Sequence, residues 1–204
     1  MILVVTAVEA ERAAVLRGIP TGAAVEVIAA GVGPAGAAAG TAWYLARHPD
    51  VTTVLSAGIG GGLLPRVPLG ALAVATRSVA ADLGAESPDG FLTLDDLGFG
   101  ATSLPTTALP DLLPDAARGA VLTVSTVTGT AERASALASR YPDALAEGME
   151  GFGVATACAL AGLPFGEVRA ISNAVGPRDR DAWQIGPALD ALAELGAAIA
   201  TLDG

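Results

Sequence analysis

Short apolar runs alternate with longer alanine-rich segments along the chain, and this alternation predicts strands that alternate with helices. The strand segments are nearly continuous apolar runs, which is typical of a parallel or mixed sheet covered by helices on both faces. The sequence therefore predicts an α/β fold, a single-domain three-layer αβα arrangement around a central mixed sheet. The predicted strands are residues 2–6, 24–30, 51–57, 70–79, 120–125 and 164–171, and the predicted helices are 10–16, 34–47, 131–139, 148–160 and 187–202.

One stretch, residues 82–113, departs from this pattern and is rich in Gly, Pro, Asp and Thr. We interpret it as a loop-rich excursion over the site, because these residues favour turns and supply little apolar surface for a second core. A chain of 204 residues suits one α/β unit, so residues 1–204 are predicted to form a single domain.

Composition and charge exclude several classes of function. The 21 acidic and 11 basic residues give a formal net charge of -10, and such a surface repels phosphate backbones, so we expect no nucleic-acid partner. No apolar stretch reaches ~18 residues without Gly, Pro or charge, and Glu9 and Glu11 come too early for a signal peptide. We therefore expect no membrane partner and a cytoplasmic protein. The single cysteine, Cys158, is predicted to be a buried core residue.

Ligands of such folds collect at the carboxyl ends of strands. Three segments stand there: the start of the first helix with Glu9 and Glu11, a glycine-rich turn GIGGG at residues 58–62, and SNAVGPRDRDAW after the strand at 164–171. The chain has one histidine, His48, and one cysteine, so it cannot build a His/Cys metal site, and we expect no metal and no cofactor.

The segment GVGPAG at residues 31–36 matches a dinucleotide-binding pattern, since it follows a predicted strand and opens a predicted helix. That pattern also requires an acidic residue at the end of the next strand to hold the ribose. Here the next strand ends in LSAGIGGG, with no acid, and Asp50 precedes the strand instead. Tight backbone packing, or a contact to a small anion or sugar, explains these glycines better than NAD or FAD binding.

Glu150 is the one charged residue in the apolar segment GMEGFGVATACALAG. One interpretation puts it on the solvent face of a helix. The flanking glycines disfavour that reading, because each costs about 1 kcal/mol against Ala in a helix. They suit a place where backbone or ligand approaches closely, and a carboxylate there can accept two hydroxyl hydrogen bonds from a sugar diol. Glu9 and Glu11 follow the first strand; one can cap the helix and the other can act as a general acid or base, and spacing alone does not say which.

Five motifs occur in an order that resembles the nucleosidases of the nucleoside phosphorylase superfamily: TAVEAE, GVGPAGAA, SAGIGGGL, GMEGFGVA and VRAISN. The chain resembles methylthioadenosine/S-adenosylhomocysteine nucleosidase along most of its length. Two longer segments, ASRYPDALAEGMEGFGVA and VRAISNAVGPRDRDAW, are most similar to futalosine hydrolases, which are nucleosidases of a menaquinone pathway. The resemblance implies a nucleoside phosphorylase-like fold, a small-molecule nucleoside as substrate and a homo-oligomer.

The resemblance also implies roles at the sugar. Glu11, the last acid of AVEAE, matches the general acid/base that activates water. Val8 matches an apolar residue beneath the sugar, Met149 packs against the ribose, and Glu150 holds its 2′- and 3′-hydroxyls. Ile59 stands where the related nucleosidase carries a serine near the sugar, and an isoleucine side chain cannot make the hydrogen bond of that serine.

At the base and the 5′ end, Asn173 stands where the related nucleosidase carries an aspartate that reads the purine. An amide keeps one donor and one acceptor, and its NH₂ suits the 6-oxo group of hypoxanthine. Thr128 matches a base-stacking segment, and Trp183 an aromatic residue near the ribose and 5′ group. Futalosine carries a benzoate at its 5′ end; Arg178 or Arg180 pairs with it, or both pair with neighbouring aspartates on a solvated loop.

The activity so implied is hydrolysis of the N-glycosidic bond of futalosine, which releases hypoxanthine and dehypoxanthinyl futalosine. Two alternative functions are kept. One is another purine nucleosidase or phosphorylase, acting on methylthioadenosine, S-adenosylhomocysteine or inosine. The other is a non-catalytic nucleoside-binding module. Phosphate capture calls for arginine near the glycine-rich turns. Neither GVGPAG nor SAGIGGG contains one, and Arg66 lies a few residues past, so the sequence favours hydrolysis.

Overall fold

The computed structural model describes residues 1–108 and 113–203, and over these residues ten strands and six helices follow one another. The strands are β1 (Ile2–Thr6), β2 (Val25–Ala29), β3 (Thr53–Gly62), β4 (Leu72–Ala80), β5 (Gly84–Ser87), β6 (Gly90–Thr93), β7 (Ser103–Pro105), β8 (Ala117–Thr123), β9 (Ala144–Gly148) and β10 (Phe165–Ala174). The helices are α1 (Glu9–Gly18), α2 (Gly33–Leu45), α3 (Leu94–Leu97), α4 (Ala131–Arg140), α5 (Gly151–Ala161) and α6 (Ile185–Ala200), which runs into a 3₁₀ turn at Thr201–Asp203.

The central sheet is mixed and partly closed. Strands β10, β4, β8, β9 and β3 pair in that order, and β10 also pairs with β3, so these five strands form a ring. Strands β1 and β2 extend the sheet beyond β3, while β5 and β6 form a separate hairpin. Because β2, β1, β3 and β10 are parallel, their carboxyl ends meet at one edge of the sheet, and that edge carries the cavity described below.

Helices cover both faces of the parallel part of the sheet. Consecutive strand residues point to opposite faces, so Val4 packs in a cluster with Leu195 of α6, whereas Val5 packs with Val154 and Cys158 of α5. The predicted αβα arrangement around a central mixed sheet is confirmed. Cys158 is fully buried, as predicted, and burial raises the pKa of its thiol to about 12. None of the described helices combines the length and the apolarity needed to cross a bilayer.

Two predicted elements were wrong in their bounds. The segment GIGGG is no turn, because β3 continues through it to Gly62, held by β10 on one side and β9 on the other. The helix predicted from residue 148 begins at Gly151, and the residues before it form β9, which the sequence interpretation missed. Pairing with both β3 and β8 makes residues 144–148 a strand, a tertiary effect that a five-residue pattern does not reveal.

The stretch 82–113 also has more structure than a loop. Its described residues form the β5–β6 hairpin, α3 and β7, whereas residues 109–112 lie outside the described part of the chain. The hairpin and α4 enclose a cleft of about 520 Å³. No described residue of the stretch lines the cavity at the edge of the parallel strands.

Candidate active site

A cavity of about 290 Å³ opens at the carboxyl ends of β1, β3 and β10, with β9 along its side. Nine of the ten residues singled out in the sequence line it: Val8, Glu11, Ile59, Thr128, Met149, Glu150, Asn173, Arg178 and Trp183. The tenth, Arg180, is exposed and does not line the cavity. The structure thus brings together residues that are as far apart as 175 positions in the sequence.

Glu11 is held at the bottom of the cavity by three backbone N–H groups. Its Oε2 accepts hydrogen bonds from Ala7 N at 2.9 Å and Val8 N at 3.3 Å, and its Oε1 accepts one from Ile59 N at 2.9 Å. The residue is 5% exposed, whereas Glu9 lies at the surface in an ion pair with Arg12. A carboxylate offers about four lone-pair directions, so one direction on Oε1 stays available for a water or a substrate hydroxyl.

Glu150 lies at the turn between β9 and α5, where it is the N-cap residue of the helix. Its Oε1 accepts from Gly33 N at 3.1 Å, and its Oε2 accepts from Met149 N at 3.2 Å and from the Arg169 guanidinium at 3.3 Å. Gly33 belongs to the GVGPAG segment. The N-terminus of α2 therefore binds the protein's own carboxylate, in the way helix N-termini bind anions.

Arg169 joins the carboxylates of the site. It is 1% exposed and donates to Glu150, to Glu167 Oε1 at 3.0 Å and to Ser56 Oγ at 3.0 Å. Burial lowers the pKa of Arg169, but the charges of Glu167, Glu150 and Glu11 outweigh it and raise the pKa, so the side chain stays a cation. Burial raises the pKa of Glu167, against the effect of Arg169. Two carboxyl groups thus bind one guanidinium, and the charge of a third, Glu11, also acts on it.

Two glycines make room for this buried network. A Cβ on Gly58 would lie 2.7 Å from Arg169 Nη1 and 2.8 Å from Glu11 Oε1. A Cβ on Gly151 would lie 2.1 Å from Glu167 Oε1. The sequence interpretation expected close approach at the glycines around Glu150. The side chain of Arg169 approaches Gly148, the side chain of Glu167 approaches Gly151, and the backbone of Pro34 approaches Gly153.

Asn173 extends from β10 into the cavity beside Ser172. Its Oδ1 accepts from the Ser172 hydroxyl at 2.9 Å, and its Nδ2 donates to the carbonyl of Ala174 at 2.9 Å. One hydrogen of the NH₂ group and one lone pair of the amide oxygen therefore remain for a ligand.

Thr128 makes contacts that the sequence did not indicate. Its backbone N–H donates to Glu147 Oε1 at 2.8 Å, and its hydroxyl donates to Glu147 Oε2. Both residues are buried and both line the cavity. Burial raises the pKa of Glu147, while the hydrogen bonds from Thr128 and the charge of Arg133 lower it.

Cationic side chains and an indole ring lie at the mouth of the cavity. The guanidinium groups of Arg178 and Arg180 lie 5.8 and 5.9 Å from the centre of the Trp183 ring. Within the described residues neither arginine forms an ion pair with a carboxylate, and Asp179 Oδ1 accepts from the backbone of Asp181 instead. The alternative in which both arginines are neutralised on their own loop is not what the structure shows.

Known proteins resemble this chain over most of its length. The model of the phosphorylase superfamily matches residues 7–202. A futalosine hydrolase of Streptomyces coelicolor is 52% identical over 218 aligned residues, which cover 95% of this chain and 92% of that protein. The chain belongs to the futalosine hydrolase family of the phosphorylase superfamily. The resemblance inferred from the motifs is confirmed.

Two further matches are also futalosine hydrolases, one by sequence and one by structure. A futalosine hydrolase of Acidothermus cellulolyticus is 43% identical over 227 aligned residues, which cover 96% of this chain and 90% of that protein. The solved structure of a futalosine hydrolase mutant of Helicobacter pylori superposes with a TM-score of 0.80 at 20% identity, and covers 97% of both chains. That structure shows the shared fold.

For this futalosine hydrolase family member, sequence reasoning missed the buried charges Glu167, Arg169 and Glu147. Glu167 and Arg169 lie two residues apart in a strand that was taken as simply apolar. Two opposite charges two residues apart lie on the same face of a strand, so the sequence itself indicates that they can pair. Glu147 could not be found in this way, because its strand was itself not recognised.

Proposed function

We propose that the protein hydrolyses the N-glycosidic bond of futalosine and releases hypoxanthine and dehypoxanthinyl futalosine, a step of menaquinone biosynthesis. The observation that carries the proposal is the meeting of Glu11, Glu150 and Asn173 in one cavity of a futalosine hydrolase family member. The carboxylates of Glu11 and Glu150 can bind a water and a sugar diol, and the amide of Asn173 can bind a 6-oxopurine.

Glu11 is proposed to activate the water. Cleavage builds positive charge on the ribose and negative charge on the departing base, so carboxylates beside the sugar stabilise the transition state. The water oxygen bonds to the anomeric carbon while the C–N bond breaks and its electron pair leaves with the base. Glu11 takes a proton from the water, so that in sum the sugar gains OH and the base gains H. The three backbone N–H groups that donate to Glu11 fix the orientation of its carboxylate toward the water.

Glu150 is proposed to hold the ribose diol, with Met149 and Val8 as apolar contacts to the sugar. Three of about four lone-pair directions of the Glu150 carboxylate are already used by Gly33, Met149 and Arg169. One hydroxyl therefore binds directly at Oε1. A second hydroxyl at Oε2 would have to take the place of the 3.2 Å bond from Met149 N.

Asn173 is proposed to read the base. Its free NH₂ hydrogen can donate to the 6-oxygen, which carries part of the negative charge as the base departs, and its amide oxygen can accept from N7–H once the departing base is protonated there. Ile59 lends only its backbone N–H, to Glu11, so the serine contact of the related nucleosidase has no counterpart at that side chain. The N–H and the hydroxyl of Thr128 both donate to Glu147, so neither group is free to bind the base.

Arg178 is proposed to pair with the benzoate of the substrate, with Trp183 packed along the linker and Arg180 as a second, outer cation. Both arginines are exposed at the mouth and have no carboxylate partner among the described residues. An exposed cation attracts a carboxylate without the cost of desolvating a buried charge.

Hydrolysis is favoured over phosphorolysis by where the cations are. Arg169 is already bound by two carboxylates and a hydroxyl. Arg66, the cation nearest the glycine-rich segment in sequence, donates to the backbone carbonyls of Ala138, Tyr141 and Ala144, away from the cavity. Among the described lining residues, Arg178 is the one cation, and it lies at the mouth.

We also propose that the protein works in the cytoplasm as a homo-oligomer. A single buried cysteine suits a reducing compartment. Three apolar side chains around the cavity, Val8, Val32 and Val127, are each more than 40% exposed, which suits a surface covered by a second copy. Light scattering of the purified protein tests the oligomer, and a mass equal to one chain would contradict it.

The proposed reaction is tested by incubating the protein with futalosine, inosine and methylthioadenosine, with and without phosphate, and identifying base and sugar. We expect hypoxanthine and a free reducing sugar from futalosine at a rate independent of phosphate. A sugar 1-phosphate would show a phosphorylase, and faster release of adenine from methylthioadenosine would show a different nucleosidase. Ligand binding without turnover would show a binding module.

A further inference from the structure

The cavity contains a third carboxylate, Glu147, for which the proposed reaction has no use so far. It is 6% exposed, lies on β9 and lines the cavity. Each of its oxygens accepts one hydrogen bond from Thr128, and each keeps one further lone pair. Unlike Glu150 and Glu167, it has no guanidinium within ion-pair distance among the described residues.

Glu147 and Asn173 face each other across Gly61. In the sheet, Gly61 of β3 pairs with Glu147 of β9 on one side and with Asn173 of β10 on the other. Residues opposite one another in neighbouring strands point to the same face, and two strand spacings amount to roughly 10 Å. A Cβ on Gly61 would lie 3.2 Å from Asn173 Nδ2. The nearest atom to the same Cβ position is Val175 Cγ2, at 2.9 Å. The glycine therefore places no side chain of β3 between Asn173 and Glu147, and the slot that it leaves is bordered by Val175 as well.

The chemistry of a purine fits such a slot in one way. A 6-oxopurine has an N1–H donor next to its 6-oxygen, whereas a 6-aminopurine has an N1 acceptor next to its amino group. An ionised carboxylate can only accept. With Asn173 donating to the 6-oxygen, the neighbouring N1–H is the group that a carboxylate opposite Asn173 can recognise.

We propose that Glu147 is a specificity residue that accepts a hydrogen bond from N1–H of a 6-oxopurine. The inference rests on the proposed function and extends it, because it gives the protein a second and independent way to distinguish hypoxanthine from adenine. The N1 lone pair of adenine would face a carboxylate lone pair, and one group would stay unpaired. An unpaired buried group corresponds to a roughly ten- to hundredfold loss in preference.

The competing role for Glu147 is structural, as an anchor for the loop that carries Thr128. Titration separates the two roles. The groups that act on the Glu147 carboxyl are Thr128, Arg133 on α4 and Asp82 after β4. Because burial raises the pKa of Glu147, the acceptor form is lost as the pH falls through that raised value, and the protonated form can donate to N1 of adenine. The preference for the 6-oxo substrate should therefore grow as the pH rises.

The experiment compares kcat/KM for futalosine and its 6-amino counterpart in the wild type, Glu147→Gln and Thr128→Val. We expect Glu147→Gln to lower the 6-oxo to 6-amino ratio about ten- to hundredfold, because an amide can also donate to N1. Thr128→Val, which weakens the anchor but keeps the carboxylate, should affect both substrates alike. Inhibition by free hypoxanthine and free adenine should change in the same direction as the ratio.

Several results would overturn the inference. An unchanged ratio in Glu147→Gln, or an equal shift in Thr128→Val, would leave Glu147 as an anchor only. If Glu147→Gln does not fold, the wild-type ratio is followed as the pH is lowered from neutrality to the limit of the protein's stability, and a ratio that does not fall counts against the inference. A wild type that releases hypoxanthine but shows these negative results would refute this inference alone, whereas a wild type without turnover would refute the proposed function.

Discussion

Replacing Glu11 with Gln changes a carboxylate that accepts three backbone hydrogen bonds into an amide that can accept at one end only. If the amide oxygen takes the place of Oε2, the bonds from Ala7 N and Val8 N are kept. The NH₂ group then faces Ile59 N–H, which the wild-type Oε1 accepts at 2.9 Å. The substitution therefore removes the proposed base and also places a donor against a donor.

These two effects have different sizes. A buried donor left unpaired costs about 1–3 kcal/mol. For a domain of this size each kcal/mol lowers Tm by roughly 2–4 °C, so Tm should fall by about 2–12 °C. Loss of a general base should lower kcat by ~10²–10⁴-fold. The loss of activity is therefore far larger than partial unfolding can explain, provided that the assay is run well below the Tm of the variant.

The assay follows release of hypoxanthine from futalosine, with Tm measured on the same preparation. Glu9→Gln is the matched control, because Glu9 lies in the same first turn of α1 but is exposed, and its side chain pairs with that of Arg12. We expect that control to keep nearly full activity and stability. A folded Glu11→Gln enzyme with near-normal turnover, or a Glu9→Gln enzyme that loses as much activity, would refute the assignment of the base.

Three other substitutions test the remaining roles. Glu150→Gln should lower activity on the ribonucleoside. The loss of activity that the wild type shows on a 2′-deoxy analogue should nearly vanish in the variant. If both enzymes discriminate equally between the ribonucleoside and the analogue, Glu150 does not hold the 2′-hydroxyl. Arg178→Met should raise KM for futalosine about 2- to 5-fold, the size expected for an exposed charge pair, and leave inosine unaffected. Equal effects on both substrates would argue against pairing with the benzoate. Asn173→Asp should narrow or reverse the preference for futalosine over its 6-amino counterpart, because a carboxyl group can accept from the amino group; an unchanged ratio of kcat/KM would show that Asn173 does not read the 6-position.

The sequence predicts the parts of this molecule that depend on local pattern. The first strand was located at residues 2–6, where β1 lies, because its apolar run is short and ends at a polar helix start. The choice between Glu9 and Glu11 was left open, since both occupy the first turn of α1 and differ only in direction. Burial distinguishes the two in the structure: Glu11 is buried against β3 and also accepts from the N-cap backbone of α1, whereas Glu9 is exposed.

What the sequence could not predict depends on pairing between distant strands. The run GIGGG has turn composition, yet it is a strand because β9 and β10 pair with it on both sides. The slot between Glu147 and Asn173 exists only through that pairing. The triple contact of Arg169 likewise requires Glu150 and Ser56 to be adjacent in space, although they are 94 residues apart in sequence.

The lack of room for a side chain at Gly58 and Gly151 restricts which substitutions this protein can accept. Replacing Gly with Ala is a common way to gain stability. At these positions the added methyl would collide with Arg169 or Glu167, so the glycines and the charges they accommodate have to change together. Gly186 is different: it lies in α6 with nothing within 4 Å of a built Cβ, and alanine there should add up to about 1 kcal/mol. Stabilising substitutions are therefore to be sought at helix surfaces. The residues of the sheet interior are expected to change slowly in evolution.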